Sequence, residues 1–500
     1  MNLSILVIVP LITAVGVLAC RNLTWVRWVA FFGSLIQLGL SGFLLKAYFA
    51  EKAAGNTAQM LFTERHSWYS GLNIEYYIGV DGISIAMILL TAFVVAAGVL
   101  ISWKMQTLTK EFFFLLMLLS VGAYGFFISL DLFTLFFFLE VAVIPKFLLI
   151  GIWGSGKKEY SAMKLALMLM GGSALVLIGI LGVYYNSDNG TGGHTFDMLK
   201  IAHQHIAPGV QSYLFPLLFA GFGVFTAMFP FHTWAPDGHS SAPTAASMFL
   251  AGISMKLGSY GCLRVATYLL PEGAHQYSWA IILVATIAII YGAFATLMQK
   301  DLKYINAYSS VSHCGFILLG IGMLTKTAII GAVMQMVSHG IMTALFFGAI
   351  GMIYDRAHTR QVAQLGGLLK VIPFIGVVFV IAGLCSLGLP GLSGFVSEMT
   401  IFMGAWQVSE FWHRFATVLA CASIVVTAVY ILRAAGASVM GPIKDKHFLD
   451  LKDATWNERL AAVMLIIAIL AIGMAPFWLT NLISPDTQII MDRLANTGGI

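Results

Sequence analysis

No polar stretch in this 500-residue chain is long enough to hold a soluble domain. The longest, at 50 to 75, 186 to 210 and 441 to 457, fall well short of the ~50 residues a small domain needs. Charge is scarce too: Asp, Glu, Lys and Arg supply 10% of the residues and hydrophobic types 59%, which excludes a water-solvated globular enzyme. The five cysteines (Cys20, Cys262, Cys314, Cys385, Cys421) stand singly in or beside apolar runs, with no CxxC pair and no Cys/His cluster at metal spacing. They read as packing residues, so no metal or iron–sulfur site is expected. No GxGxxG follows a strand, which argues against a nicotinamide site, and no basic or aromatic cluster suggests nucleic acid. The start, MNLSILVIVPLITAVGVLAC, lacks a basic leader region and reads as a retained first span.

What is present is a series of apolar runs. At about 20 residues per crossing they give about fourteen transmembrane helices in a single membrane domain, an all-α polytopic fold. Two helices are broken. The seventh is interrupted at FPFHTWAPDG, where Pro230 and Pro236 remove backbone donors, and the twelfth at GLCSLGLPGLSGF around Pro390. A backbone group left unpaired in hydrocarbon costs several kcal/mol, so both breaks are expected to be buried in protein or to line water. The two lie five helices apart, an odd interval, so a repeat relating them would be inverted. The expected division is 1–105 (helices 1 to 3), 111–270 (first repeat, helices 4 to 8), 277–438 (second repeat, helices 9 to 13) and 457–480 (helix 14). Lys and Arg of the short loops, among them Arg27, Lys104, Lys157, Lys300, Arg360 and Lys444, then gather on one face. That face is cytoplasmic by the positive-inside rule, with both termini outside.

Ionisable groups lie within the apolar runs. Lys256 has about ten apolar residues on either side, and a lysine at the membrane centre carries a penalty of roughly 2.5–3.5 kcal/mol. Glu140, in DLFTLFFFLEVAVIPKFLL, ionises there only if paired and otherwise carries a proton. Lys146 follows on the same helix, just after Pro145; six residues put the two groups about 240° apart and ~9 Å along the axis. Lys164 reads equally as a snorkelling residue near a helix end. His313, His339 and Glu398 complete a set that spreads over successive helices, the pattern of a proton relay.

HTWAPDGHSSAPTA followed by LAGISMKLGSYG, with FFFLE, GVDGIS, DLKYINAYSSVSHCGF and YDRAHTR, resembles the antiporter-like M (chain 4) subunits of proton-pumping NADH:quinone oxidoreductase, respiratory complex I. The resemblance covers most of the chain and thins before residue 70 and after 440. It implies fourteen helices with two inverted five-helix repeats and no redox centre or cofactor on this chain. It also implies roles: Glu140 as the fifth-helix carboxylate, Lys256 as the central lysine, His313 and His339 as relay histidines, and Glu398 as the terminal group of the outer half-channel. One position departs. Where the family pattern KxPLFPFHTW carries its lysine, this chain has Phe225 in FTAMFPFHTW. Two readings stay open: a partner cation relocated to Lys146 or Lys164, or an altered pump site.

The implied function is proton translocation through the buried Glu/Lys/His set, as a subunit of an oxidoreductase whose redox chemistry lies elsewhere in the complex. A cation/proton antiporter of the Mrp type or a membrane hydrogenase subunit is the alternative within the superfamily, and a structural subunit with a degraded pump site the alternative outside it. The implied partners are neighbouring membrane-arm subunits, lipid, water and protons, with quinone bound elsewhere, in a bacterial inner membrane.

Overall fold

Within hydrocarbon a backbone amide can bond only inside its own helix or closed sheet, so long apolar runs become helices. The computed structural model describes residues 2–190 and 192–495, and among these, ten helices are long and apolar enough to cross a membrane. The chain opens with α1 (Ile5–Ala19) and α2 (Leu23–Ala53), then departs from the all-helical expectation. Strands β1 (Leu61–Tyr69) and β2 (Ile74–Val80) pair as an antiparallel hairpin in the first polar stretch, where water can solvate the strand edges. Helix α3 (Gly82–Ile101) follows, capped by the Asp81 side chain, which accepts from the Ser84 amide at 2.8 Å.

Next come α4 (Thr109–Ile128), α5 (Leu132–Val141), α6 (Val143–Trp153) and α7 (Lys158–Tyr185). The α5–α6 pair is one crossing interrupted at Ala142, because Pro145 has no N–H to return to the carbonyl four residues earlier. After a short α8 (Met198–Ala202), α9 (Pro208–Thr226) ends at Ala227, which takes a left-handed conformation with φ 60°, and α10 (Trp234–Ser241) resumes the path. Pro230 lies in this gap. Pro236 does not break the helix as expected; it sits in the first turn of α10, where the missing N–H would be unpaired anyway. The eighth helix contains α11 (Thr244–Phe249) and α12 (Met255–Gly261), each followed by a π-helical stretch, Leu250–Ser254 and Cys262–Thr267.

The second half runs through α13 (Pro271–Leu297), α14 (Leu302–Gly322), α15 (Lys326–Ala357), a short α16 (Leu368–Val371), α17 (Pro373–Ser386), α18 (Ser393–Trp406) and α19 (Phe411–Ser438). Between α17 and α18 the chain turns through Gly388 and Gly391, at φ 75° and 92°. At this gap Leu389, Pro390 and Gly391 are exposed at the chain's surface, while Gly388 is half-buried against Glu398. Three amides of the turn are paired within it, Gly388 N donating to Cys385 O at 3.1 Å, Leu389 N to Leu384 O at 3.1 Å and Leu392 N to Leu389 O at 3.1 Å. The expected last span, 457–480, divides into α20 (Trp456–Met474) and a separate α21 (Phe477–Ala495).

Hydrogen bonds sort the loops onto two faces. On one, Arg27 reaches Met105 O, Trp153 reaches Thr107 O, Ser155 N donates to Ser241 O, Leu302 N to Arg360 O, and Arg356 bonds Lys452 O and Glu458. This is the basic face. On the other, Leu3 N donates to Glu64 in the hairpin, Arg65 pairs with Asp197, Gly82 N bonds Asp486 on α21, and His275 at the start of α13 meets Leu494 O. Between the faces, α3 and α15 are buried nearly throughout; the eighth helix packs against both, and the two halves of the broken twelfth pack against α15.

Candidate functional site

The eighth helix is buried along its length and carries Lys256 into the core, where it is 0% exposed. The π stretch before it widens the turn, and the Nζ points back along the helix to the Ala251 carbonyl at 2.6 Å. The same Nζ lies 2.6 Å from His339 Nδ1 on α15. With Lys256 charged, Nζ donates to Nδ1, and the histidine's own proton sits on Nε2, which is buried without a hydrogen-bond partner among the described residues. The His339 and His313 rings stand 5.2 Å apart between centroids. His313, on α14, continues outward: Nδ1 lies 3.2 Å from Glu398 Oε1 on α18, and Nε2 3.0 Å from Ser386 Oγ at the end of α17. The gap in the twelfth helix completes the arrangement. A Cβ at Gly388 would sit 2.9 Å from Glu398 Oε2, so the left-handed glycine lets the turn close over that carboxylate.

Four of the five expected relay residues therefore form one line, Lys256, His339, His313 and Glu398, carried by four helices. Each link is a hydrogen-bond or ring contact between groups that can exchange a proton, in surroundings that exclude bulk water.

Glu140 is placed differently. It is half-buried at the end of α5 and accepts a short hydrogen bond from Ser173 on α7. Lys146, on α6, is 1% exposed, and its Nζ has no hydrogen-bond partner among the described residues. It lies over the Phe225 ring, 5.9 Å from the centroid, and the Glu140 charge acts on it. The kink at Ala142 turns α6 so that the ammonium faces inward. Lys164 is not near Glu140: it pairs with Asp237 on α10 at 2.7 Å, near the basic face, and Tyr304 donates to the same carboxylate at 3.1 Å. A cavity of about 600 Å³ opens beside this pair, lined by Tyr160, Ser161, Ser241 and Arg360 among others. Among the described residues no hydrogen bond connects Lys146 to Lys256.

Sequence reasoning passed over several residues here. His239, in the quoted HTWAPDGH run, is fully buried on α10, with neither ring nitrogen hydrogen-bonded among the described residues, and within electrostatic reach of Lys256, Lys303 and His339. Its signal was present as a second histidine on the resumed half-helix. Lys303, buried at 3% exposure, donates to Ala242 O at 2.6 Å where the seventh helix ends. Its place in the first turn of α14, three residues after Lys300, makes it look like a loop charge in the sequence. Ser386 left no signal, because a serine in an apolar run is ordinary.

The family model described as NADH:quinone oxidoreductase/Mrp antiporter, TM, matches residues 129–425. NADH-quinone oxidoreductase subunit M of Rhodobacter capsulatus is 34% identical, with 98% of this chain and 96% of that one covered. NAD(P)H-quinone oxidoreductase chain 4 1 of a Synechococcus species is 32% identical over 98% of this chain and 93% of its own. Among solved structures, a chain of respiratory complex I from Thermus thermophilus with bound NADH superposes with a TM-score of 0.89 at 24% identity, covering 98% of this chain and 99% of that one. A chain of the Mrp complex from Dietzia sp. DQ12-45-1b superposes at 0.84 with 20% identity, covering 98% and 97%.

Proposed function

Because the chain belongs to the NADH:quinone oxidoreductase/Mrp antiporter family, as an antiporter-like membrane-arm subunit of complex I, we propose that it moves protons across the membrane through its buried Lys256–His339–His313–Glu398 line. The observation that carries this reading is that line itself: a lysine with no solvent exposure handed to two histidines and then to a carboxylate at a helix break. A fold needs no such series, since each buried ionisable group costs stability unless paired. The chain holds no redox group in this reading, and electron transfer in the complex supplies the free energy. Moving one charge against 100 mV requires about 2.3 kcal/mol.

Glu140 and Lys146 form the other end. Lys146 reaches the ring of Phe225, the position of the family lysine, from the neighbouring helix, which favours the relocated cation over Lys164. A change in the Glu140 charge then alters the field at Lys146, and Lys146 passes it inward. A subunit that no longer pumps is the second reading, favoured because, among the described residues, no hydrogen bonds link Lys146 to Lys256. The complex reconstituted in vesicles with Lys256→Ala separates them: protons moved per electron should fall if the line conducts, whereas an unchanged ratio assigns Lys256 to packing.

A further inference from the structure

On the hairpin face, α21 crosses the start of α3 at a distance that only glycine permits. The Gly82 amide donates to Asp486 Oδ2 at 2.6 Å, and the Tyr48 hydroxyl donates to the same oxygen at 3.1 Å. A Cβ on Gly82 would lie 1.8 Å from Leu482 O and 2.8 Å from Asp486 Oδ2. The neighbouring residue, Asp81, accepts from Ser84 N through Oδ1 and is ion-paired through Oδ2 with Arg264, which projects from the π-helical turn closing the eighth helix. Asp81, Asp486, Tyr48 and Arg264 are each 1 to 2% exposed. Asp486 Oδ1 and Arg264 Nε have no hydrogen-bond partner among the described residues.

Two carboxyl groups share this enclosure with one guanidinium, and the guanidinium is taken by Asp81. Two adjacent buried carboxylates cannot both ionise cheaply, and the one without an ion pair keeps the proton. That one is Asp486. Burial, and next the charge of Asp81, push its carboxyl well above the usual range, while the Gly82 amide, Arg264 and Tyr48 oppose the shift. Asp486 bonds the amide of Gly82, the first residue of α3, so its carboxyl stands where that spanning helix begins, on the hairpin face. Of the other elements around it, the eighth helix also brings Tyr260 and Tyr268 to Arg264, α15 meets α21 through Met334 and Thr480, and α13 meets its far end through His275. Inward of Asp81, the Ser84 and Tyr260 hydroxyls are 2.9 Å apart, with Tyr260 one turn beyond Lys256 on the same helix.

We propose that Asp81 and Asp486, bracketing the Gly82 amide beside Arg264, form a proton-binding site on the hairpin face through which protons leave the membrane interior. Loading adds H⁺ to the Asp486 carboxylate; release breaks that O–H bond and returns H⁺ to the water outside, with no electron transferred. The binding half of this proposal stands on the geometry alone, and the release half rests on the proton-translocation reading.

The test is an infrared pH titration of the intact complex, compared with Asp486→Asn, which keeps an acceptor for Gly82 and Tyr48. The native complex should show a protonated-carboxyl band that disappears as pH rises and is lost in the variant; a band unchanged in Asp486→Asn overturns the site whether or not the complex pumps. If Asp486→Asn fails to assemble, Tyr48→Phe serves instead. Losing one donor to the carboxylate should move the band's midpoint upward by roughly half a pH unit or more, and an unmoved midpoint overturns the site. Pumping measured against outer-side pH then reads the release half: the native dependence should flatten in Asp486→Asn, and a retained dependence overturns release through this pair while the band's loss still places the proton there.

Discussion

Replacing Lys146 by methionine should reduce proton transport and leave the protein as stable as before or more so. Lys146 is 1% exposed, its Nζ has no hydrogen-bond partner among the described residues, and it lies over the Phe225 ring, 5.9 Å from the centroid. A cation–π contact at that range contributes about 0.5–2 kcal/mol, whereas taking an ammonium out of water costs several. Methionine has similar length and no charge, so stability should be unchanged or rise by about 1–3 kcal/mol. Transport should go the other way. Lys146 lies six residues from Glu140, ~9 Å along a helix axis, where two unit charges at an effective dielectric of ~20 interact by roughly 2 kcal/mol. Losing that coupling changes the proton's distribution about twentyfold, so proton-coupled turnover should drop on the order of tenfold. The assay is redox-driven proton uptake into vesicles holding the reconstituted complex, read by a pH-sensitive dye, beside thermal inactivation of the same preparation. Adding Phe225→Lys to Lys146→Met returns a cation to the same spot and should recover several-fold of the loss. Phe225→Lys alone puts two cations ~6 Å apart, a repulsion of roughly 3 kcal/mol that should lower the yield of assembled complex. Undiminished protons per electron in Lys146→Met would refute the relocated-cation reasoning.

Other perturbations probe separate parts. Glu140→Gln keeps the Ser173 hydrogen bond but removes a titratable group, so turnover coupled to protons should fall several-fold with assembly intact, as judged by native gels and vesicle uptake. Gly388→Ala forces a side chain into a φ of 75° and against Glu398, costing about 1–2 kcal/mol and displacing the carboxylate from His313; pumping equal to the native complex would argue that this end of the line is not used. Asp131, at the start of α5 under the hairpin, accepts from Thr134 N and Glu75 N, and burial pushes its carboxyl from 3.8 up to about 6. Its contribution is fully present below about pH 4, where the unfolded chain's carboxyl is also protonated, and is lost as pH rises through about 6, roughly 3 kcal/mol in all. Asp131→Asn should flatten the thermal stability of the complex across that window, and an unchanged slope assigns the pH dependence elsewhere.

Much of the site could be read from the chain because its chemistry conflicts with its surroundings. A lysine, two histidines and a glutamate inside apolar runs stand out at any register, and Lys256, His339, His313 and Glu398 do meet. Lys303 and His239 were less legible. The first lies next to a loop and the second inside a polar-looking run, yet folding buries both, because α10 and the first turn of α14 are drawn beneath the basic face. The breaks were legible as interruptions, but their local geometry was not. Pro236 fits the first turn of a helix, and the chain turns at Pro390 through two left-handed glycines, since a proline marks where helix cannot continue but not which way the chain then turns.

The sequence by itself determined the solvent and the elements. Hydrocarbon leaves an apolar run of 20 residues no alternative to a helix, and buried charge no neutral explanation. Partnership was decided only in three dimensions. Nothing in the spacing of Lys146 and Glu140 says that a kink at Ala142 aims the ammonium at Phe225, and nothing in the polar tail says that Asp486 folds back some 400 residues to the amide of Gly82. A helix period places groups on faces of one helix, whereas a proton moves between helices, and which faces meet depends on how close glycines such as Gly82 and Gly388 let two backbones approach.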